Sequence, residues 1–350
     1  MMRILVITDL YPISEDEKNT PKTIQAFVKS WEALGHEVRI IRPNFLLNSY
    51  LRKKTFYKDG IYGQVENINY ITPFWGNIKK KIKTLFAPDV VIAHMPSGLI
   101  FANKLGVSFC AGVHASDLEV LTNPIYKLYF KTELEKAYKN AKCIACRSYV
   151  LKDKFLKLYP QYENKTFVAP SGVDEEKITK REWQEKEKIK VLTCGQFIKR
   201  KNIDKVIKVC ERFYNIELTV IGSGRQKLEK ISDKPIFLGQ IPHEKVLEKM
   251  RESDIFILPS KNETFGMVYL EAMASGCITV CSKNDGIDGI IRDEVNGFLC
   301  EDIEKTLDRI LSLEDKNIIL KNSYETILNF TSQKAGENYI NYLVLYNDLG

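Results

Sequence analysis

The sequence predicts an α/β protein made of two doubly wound units in tandem. Three observations carry that expectation. Short, continuous Val/Ile-rich runs alternate with helix-patterned segments through both halves, as strands do when a parallel sheet is covered on both faces. A polar, highly charged stretch, residues 171–188, separates the two series. The length, 350 residues, suits two domains of about 150 residues each.

In the first half, a strand over residues 3–8 (RILVIT) leads into a helix over 20–35 and a second strand over 36–43. Residues 45–83, rich in Lys, Asn and Tyr, break the rhythm. It resumes with a strand at 88–94, a helix at 98–106, and strands at 107–114 and 141–148. The second half is cleaner: strand 189–195, helix 202–213, strands 216–224 and 235–241, helix 244–254, then strands 255–260 and 277–282. Residues 332–347 form an amphipathic pattern with no strand after it, expected to pack back on the first domain. The predicted domains are 1–171, 172–330 and a terminal helix over 331–350. Ligands of open parallel sheets bind beyond the carboxyl ends of the strands, so the expected site is the cleft between the domains.

The composition is that of a soluble globular protein, 44% apolar and 28% charged. The opening MMRILVITDLYP reads as a first strand rather than a signal peptide, and no run approaches eighteen apolar residues. Eight scattered cysteines suggest reduced, buried thiols of a cytoplasmic protein. Cys143 and Cys146 share one strand-like run, where alternation sends them to opposite faces and argues for core. The net charge of +7 is uneven. Before Gly172 there are 25 Lys and Arg against 15 Asp and Glu, and from there on 27 against 30. A first half at +10 and a second at −3 point to an anionic partner for the first.

The most informative stretch is Lys261 to Gly276, KNETFGMVYLEAMASG, which sets Glu263 in a strand-to-helix loop and Glu271 about two turns inside the helix expected from Phe265. Eight helical residues separate the carboxylates by about 12 Å. Glycosidase pairs stand about 5 to 9.5 Å apart, so a hydrolytic dyad is disfavoured. The helix start near Gly266 offers unpaired amides and partial positive charge to a phosphate, with a carboxylate on either side for hydroxyls. Phosphates flanked by hydroxyls describe a nucleotide sugar. The alternative is a loop-capping Glu263 and a solvent-facing Glu271.

Residues 195–204 follow a strand, open a helix and bring Lys199, Arg200 and Lys201 to the carboxyl end of the sheet, where they suit a diphosphate or form an ordinary basic turn. No stretch completes a dinucleotide fingerprint, which disfavours a nicotinamide enzyme. His94, His114 and Asp117 lie at or after carboxyl ends of first-half strands. Asp117 either caps the next helix or joins His114 at a substrate. Four histidines without ligand spacing give no support to a metal site. Basic residues concentrate at Arg52–Lys54, Lys79–Lys83 and Lys127–Lys157, the last interleaved with Tyr126, Leu128, Tyr129, Phe130 and Leu134. That mixture suits an anionic membrane surface or a solvated helix face; no reading motif supports nucleic acid.

Nearly the whole chain resembles the retaining glycosyltransferases of family 4, which have the GT-B fold of two Rossmann-like domains. The resemblance rests on Glu263-x7-Glu271, with support from Ser171–Asp174, Gly195–Lys201, Gly222–Gly224, Asn296–Phe298 and His114-x2-Asp117. It implies that Glu263 contacts hydroxyls of the donor sugar and Glu271 the ribose. Lys201, beside Gly195 and Arg200, would bind the diphosphate, Gly266 and Met267 would offer amides to it, and His114 and Asp117 would lie near sugar and acceptor. Three departures stand out: Gln196 replaces a usual arginine, with Arg200 a candidate substitute; residues 9–21 replace the first loop's glycine pair; and Asn284–Gly289 replaces a glycine pair with Pro-Glu.

The resemblance thus implies a retaining hexosyltransferase. It would move a hexose or N-acetylhexosamine from a nucleotide diphosphate sugar, a UDP-sugar foremost, to a hydroxyl of a glycan or lipid-linked acceptor. No metal or cofactor is expected. Bacterial surface polysaccharide biosynthesis is the favoured setting, with the protein cytoplasmic or peripheral at the inner face of the membrane. The alternatives are a nucleotide-sugar epimerase of the same fold and an inactive homologue acting as an adaptor.

Overall fold

A computed structural model describes residues 1–13, 23–44, 60–69, 86–123 and 130–348. The chain divides into two compact units, one comprising Met1–Arg147, Leu151–Ser171 and Ser332–Gly350, the other Ser148–Val150 and Gly172–Thr331.

The first unit holds an eight-stranded sheet of order β3-β4-β2-β1-β5-β6-β7-β8. Its strands are β1 (Arg3–Ile7), β2 (Glu37–Asn44), β3 (Gly60–Tyr62), β4 (Val65–Asn69), β5 (Val90–His94), β6 (Cys110–Val113), β7 (Cys143–Cys146) and β8 (Thr166–Val168). All pairings are parallel except the edge pair β3–β4. Strand order reverses at the β1–β5 pair, the place where open sheets leave a crevice beyond their carboxyl ends. The helices are α1 (Thr23–Ala33), α2 (Met95–Leu105), α3 (Ala115–Thr122), α4 (Thr132–Asn140) and α5 (Tyr149–Leu158). Apolar side chains on the two sheet faces feed two separate cores, and Cys143 joins one while Cys146 joins the other, as alternation predicts.

The second unit holds a fully parallel six-stranded sheet of order β11-β10-β9-β12-β13-β14. These strands are β9 (Ile189–Cys194), β10 (Ile216–Ile221), β11 (Ile236–Gly239), β12 (Ile255–Leu258), β13 (Ile278–Ser282) and β14 (Phe298–Cys300). The helices of this unit are α6 (Ile203–Cys210), α7 (His243–Glu252), α8 (Met267–Ala274), α9 (Ile303–Ser312) and α10 (Asn317–Ile327), the last two following β14. In α6, Ile203, Val206, Ile207 and Cys210 repeat at helical spacing and are the buried stripe. The switch point here is the β9–β12 pair, so the loops leaving those two strands share one edge of the sheet. The charged connector is tied to this unit: Arg181 and Lys186 reach the buried Asp254 carboxylate at 3.3 and 2.7 Å.

The last helix, α11 (Ser332–Asp348), belongs to the first unit and packs on α1. Trp31 Nε1 donates to the Gly336 carbonyl at 3.2 Å, and Tyr339 meets Phe27 and Trp31 edge-on at 5.2 and 5.5 Å between ring centres.

Two sequence expectations need correction. Helix α8 begins at Met267, not Phe265, because Gly266 takes the left-handed conformation (φ 89°) as its N-cap. Glu271 therefore stands one turn inside, not two. Leu134 is fully buried in the first unit's core, so its apolar spacing serves packing and it is not available to a membrane surface.

Candidate functional site

In the second unit, the loops after β9 and β12 bring Lys201, Arg200 and Glu263 together. Lys199–Lys201 form a single 3-10 turn, stopped by Asn202 in the left-handed conformation (φ 52°). Asn202 Nδ2 then donates to the Pro259 carbonyl at 2.7 Å, and the Lys261 amide to the Arg200 carbonyl at 2.8 Å, lacing one loop to the other. Glu263 Oε1 receives Lys201 Nζ at 2.5 Å, Arg200 at 2.7 Å and Ser260 Oγ at 2.6 Å. Burial alone would raise the Glu263 pKa, but the Lys201 charge and hydrogen bond, Ser260 and Arg200 outweigh it and hold the carboxyl below its ordinary value. The Lys201 stem passes over Gly195, where a Cβ would rest 3.7 Å from Cδ.

Asp285 sets the backbone of the Glu263 loop. Its Oδ1 accepts from the Glu263 amide at 2.9 Å and its other oxygen from the Asn262 amide. At Gly266, a Cβ would lie 2.5 Å from the Tyr269 ring, so the turn into α8 admits only glycine. The first amides of α8, including that of Met267, have no intrahelical acceptor by the geometry of a helix start. One turn on, Glu271 Oε1 stands 3.0 Å from His243 Nε2.

The first unit carries a second, separate cluster. His94 ends β5, His114 follows β6, and His94 Nδ1 lies 3.1 Å from His114 Nε2. The rings approach across β6 at Gly112, where a Cβ would fall 2.0 Å from His94 Nδ1. Asp117 is wholly buried and its Oδ2 accepts from the His114 amide at 2.6 Å, tying the start of α3. Asp117 is thus the cap foreseen as one alternative. Burial pushes its carboxyl up to about 8, and burial with the Arg147 charge pushes His114 down to about 3. Both His94 and His114 are therefore neutral at pH 7. Of the two, His114 keeps some accessible surface (8%), whereas His94 has none.

The structure thus brings Lys201, Arg200 and Glu263 into contact, places Gly195 beneath Lys201, and puts Gly266, Met267 and Glu271 on the start of α8. His114 and Asp117 share one helix start in the other unit. His243, Asp285 and Ser260 were not foreseen. Asp285 lay within the atypical Asn284–Gly289 loop, and His243 was one of only four histidines, but neither position had a motif to mark it.

Among the described residues, no group of three or more His, Cys, Asp or Glu is arranged to hold a metal ion, and no helix is long and apolar enough to cross a membrane. The basic stretches at Arg52–Lys54 and Lys79–Lys83, and residues 126–129, lie outside the described residues. Of the third stretch, Lys131 and Lys136 pair with Glu135 and Glu133 at 3.5 and 3.0 Å, and Lys165 just beyond it donates to carbonyls at the end of α4.

Two family models match in tandem. Glycosyltransferase Family 4 matches residues 22–177, and Glycosyl transferases group 1 matches residues 174–327. The chain is 27% identical to an uncharacterised glycosyltransferase of Methanocaldococcus jannaschii over 80% of its own length and 84% of that protein's. It is 24% identical, over 83% of each chain, to the Bacillus subtilis glycosyltransferase TuaC, named for teichuronic acid biosynthesis. Among solved structures, Anabaena HepE in complex with UDP superimposes with a TM-score of 0.72 at 14% identity, covering 98% of this chain and all of that one. The apo form of the lipopolysaccharide outer core galactosyltransferase WaaB gives 0.69 at 16% identity, with 98% and 99% covered. At these identities the structures speak to the fold.

Proposed function

We propose that the chain, whose halves match the Glycosyltransferase Family 4 and Glycosyl transferases group 1 models and whose fold is GT-B, is a family 4-like glycosyltransferase that moves a hexose or N-acetylhexosamine, with retention, from a UDP-sugar to a hydroxyl of a glycan or lipid-linked acceptor. The observation that carries this reading is the convergence of Lys201 and Arg200 on Glu263 at the sheet's switch point, with Glu271 on the helix that follows. Cations, a helix start and two carboxylates at one sheet edge suit a ligand with an anionic centre and hydroxyls on both sides.

In this reading Lys201, Arg200 and the amides of Gly266 and Met267 stabilise the charge that grows on the departing diphosphate, where electrostatic help acts most strongly. Arg200 supplies the cation that Gln196 does not. Glu263 accepts from hydroxyls of the transferred sugar and Glu271 from the ribose. The bond between the sugar's C1 and the phosphate oxygen breaks, and the acceptor oxygen bonds to C1 on the same face. The acceptor's proton passes to the leaving phosphate. No metal or cofactor takes part. His114 contacts sugar or acceptor through its accessible edge, as a neutral imidazole, while Asp117 fixes the backbone that presents it.

UDP as the nucleotude carrier is supported by the HepE complexes, which hold UDP and, in one, glucose as well. Surface polysaccharide synthesis is supported by the likeness to TuaC. The +10 charge of residues 1–171 favours work at the inner, anionic face of the membrane. Incubation with UDP-hexoses and UDP-N-acetylhexosamines and lipid-linked glycans, with proton NMR of the product, tests the proposal. An α-linked product from an α-configured donor is expected; a β-linked product would overturn retention.

A further inference from the structure

Both glutamates have basic partners, and only those of Glu263 belong to the stretch read as diphosphate-binding. Glu263 is met by Lys201 and Arg200; Glu271 is met by His243, which opens α7 directly after Pro242. The Nε2–Oε1 distance is 3.0 Å, and the pair is reachable from solvent, with 45% of the His243 side chain and 19% of that of Glu271 exposed. The contact ties α7 to α8 across 28 residues of sequence.

Three groups face this pair, from α7, the Glu175–Lys177 turn and the end of β9. Glu244 neighbours His243 on α7, with Oε1 4.0 Å from His243 Nδ1. Lys177, from the short turn at Glu175–Lys177, pairs with Glu244 at 3.6 Å. Glu271 projects from α8, and Cys194 at the end of β9 lies near Glu271 and Lys201. Burial, reinforced by the Glu271 charge, pushes that thiol up to about 12, so it stays neutral. The Glu271 hydrogen bond raises the His243 pKa. Burial and Lys177 oppose the rise, while the Glu271 and Glu244 charges assist it.

We propose that His243 is a positioning residue that holds the Glu271 carboxylate in place for the ribose of the donor. The inference rests on Glu271 being the ribose-binding carboxylate of the proposed function. A carboxylate has about four lone-pair sites; one hydrogen bond from Nε2 fixes its plane and leaves the others for a pair of hydroxyls. Charged imidazole makes that bond a charge-assisted one, about twice as strong as a neutral pair. Donor binding therefore weakens as pH rises through the His243 pKa.

Calorimetric titration with UDP at pH 6 and pH 8.5 tests this on wild type, His243→Gln, His243→Ala and Glu271→Ala. Glutamine keeps an N–H donor but does not titrate. Wild type is expected to lose about fivefold more affinity than His243→Gln between the two pH values, and His243→Ala to bind about fivefold more weakly than wild type at pH 6. Ionisation of UDP's own phosphate is common to all four proteins and cancels. Equal pH dependence in wild type and His243→Gln overturns the inference, as does wild-type affinity in His243→Ala, provided that Glu271→Ala has lost binding. If Glu271→Ala binds UDP normally, the ribose assignment itself falls. Independently of nucleotide, NMR titration of the His243 imidazole is expected to give a lower pKa in Glu271→Gln than in wild type; equal values remove the contact on which the proposal stands.

Discussion

Lys201 Nζ lies 2.5 Å from Glu263 Oε1, with both side chains largely buried, so the residue proposed for the diphosphate and the one proposed for the sugar neutralise each other. A donor bound as proposed would divide this pair. Its diphosphate would take Lys201 and Arg200, and its sugar hydroxyls would take the carboxylate. The two substitutions should then act in opposite directions. Lys201→Ala is expected to weaken UDP binding about tenfold or more, the worth of a charge-assisted hydrogen bond. Glu263→Gln releases both cations and is expected to tighten UDP binding while sugar transfer falls. Calorimetry and a transfer assay on the two variants check this; loss of UDP binding in Glu263→Gln would contradict it.

Gly112→Ala should disturb the histidine pair without touching either ring chemically. The added Cβ would fall 2.0 Å from His94 Nδ1, and His94 is fully buried, so the ring must leave its contact with His114. Overpacking of this kind costs about 1–3 kcal/mol. Urea denaturation measures the loss, and the His114 ring resonances are expected to shift with it.

Asp117 makes stability depend on pH in a defined direction. Burial lifts its folded pKa to about 8, well above the ordinary carboxylate range, so the native state keeps a proton that the unfolded chain releases. The contribution is complete below about pH 4 and is lost as pH rises towards 8. Relative to Asp117→Asn, wild type should therefore lose stability between pH 5 and pH 7.5, by up to about 1.4 kcal/mol per pH unit. His114 is common to both proteins and cancels in the comparison. Paired urea titrations at the two pH values read the difference; a constant gap would contradict a protonated Asp117.

Tyr339→Ala should unfold the first unit preferentially. Tyr339 is fully buried on α11 between Phe27, Trp31 and Phe167, and removing a buried aromatic costs about 3–5 kcal/mol. A separate early transition in urea is the expected result.

The alternation of strands and helices was readable because a parallel sheet writes its buried strands as largely continuous apolar runs, and β5, β12 and β13 are such runs. Glu263, Glu271 and Gly266 were readable because one strand-loop-helix passage holds all three. Lys201 joined them through its place after β9. His243 escaped because its partner lies 28 residues away on another helix, and Asp285 because its contacts are to backbone amides, which no side-chain pattern records. Leu134 misled for a related reason: an apolar residue among lysines fits a membrane face and a core stripe equally well until the neighbouring helix is placed. The start of α8 depended on the φ of one glycine.

If Glu271 holds the ribose of the donor, it anchors a nucleotide diphosphate pocket in the second unit. Calorimetry with UDP, GDP, ADP, TDP and CMP, on wild type and Glu271→Ala, tests it most directly. Selective binding of UDP by wild type and at least about a tenfold loss in the variant are expected. A folded wild-type protein that binds none of the five, or a Glu271→Ala variant that binds UDP as wild type does, would contradict it.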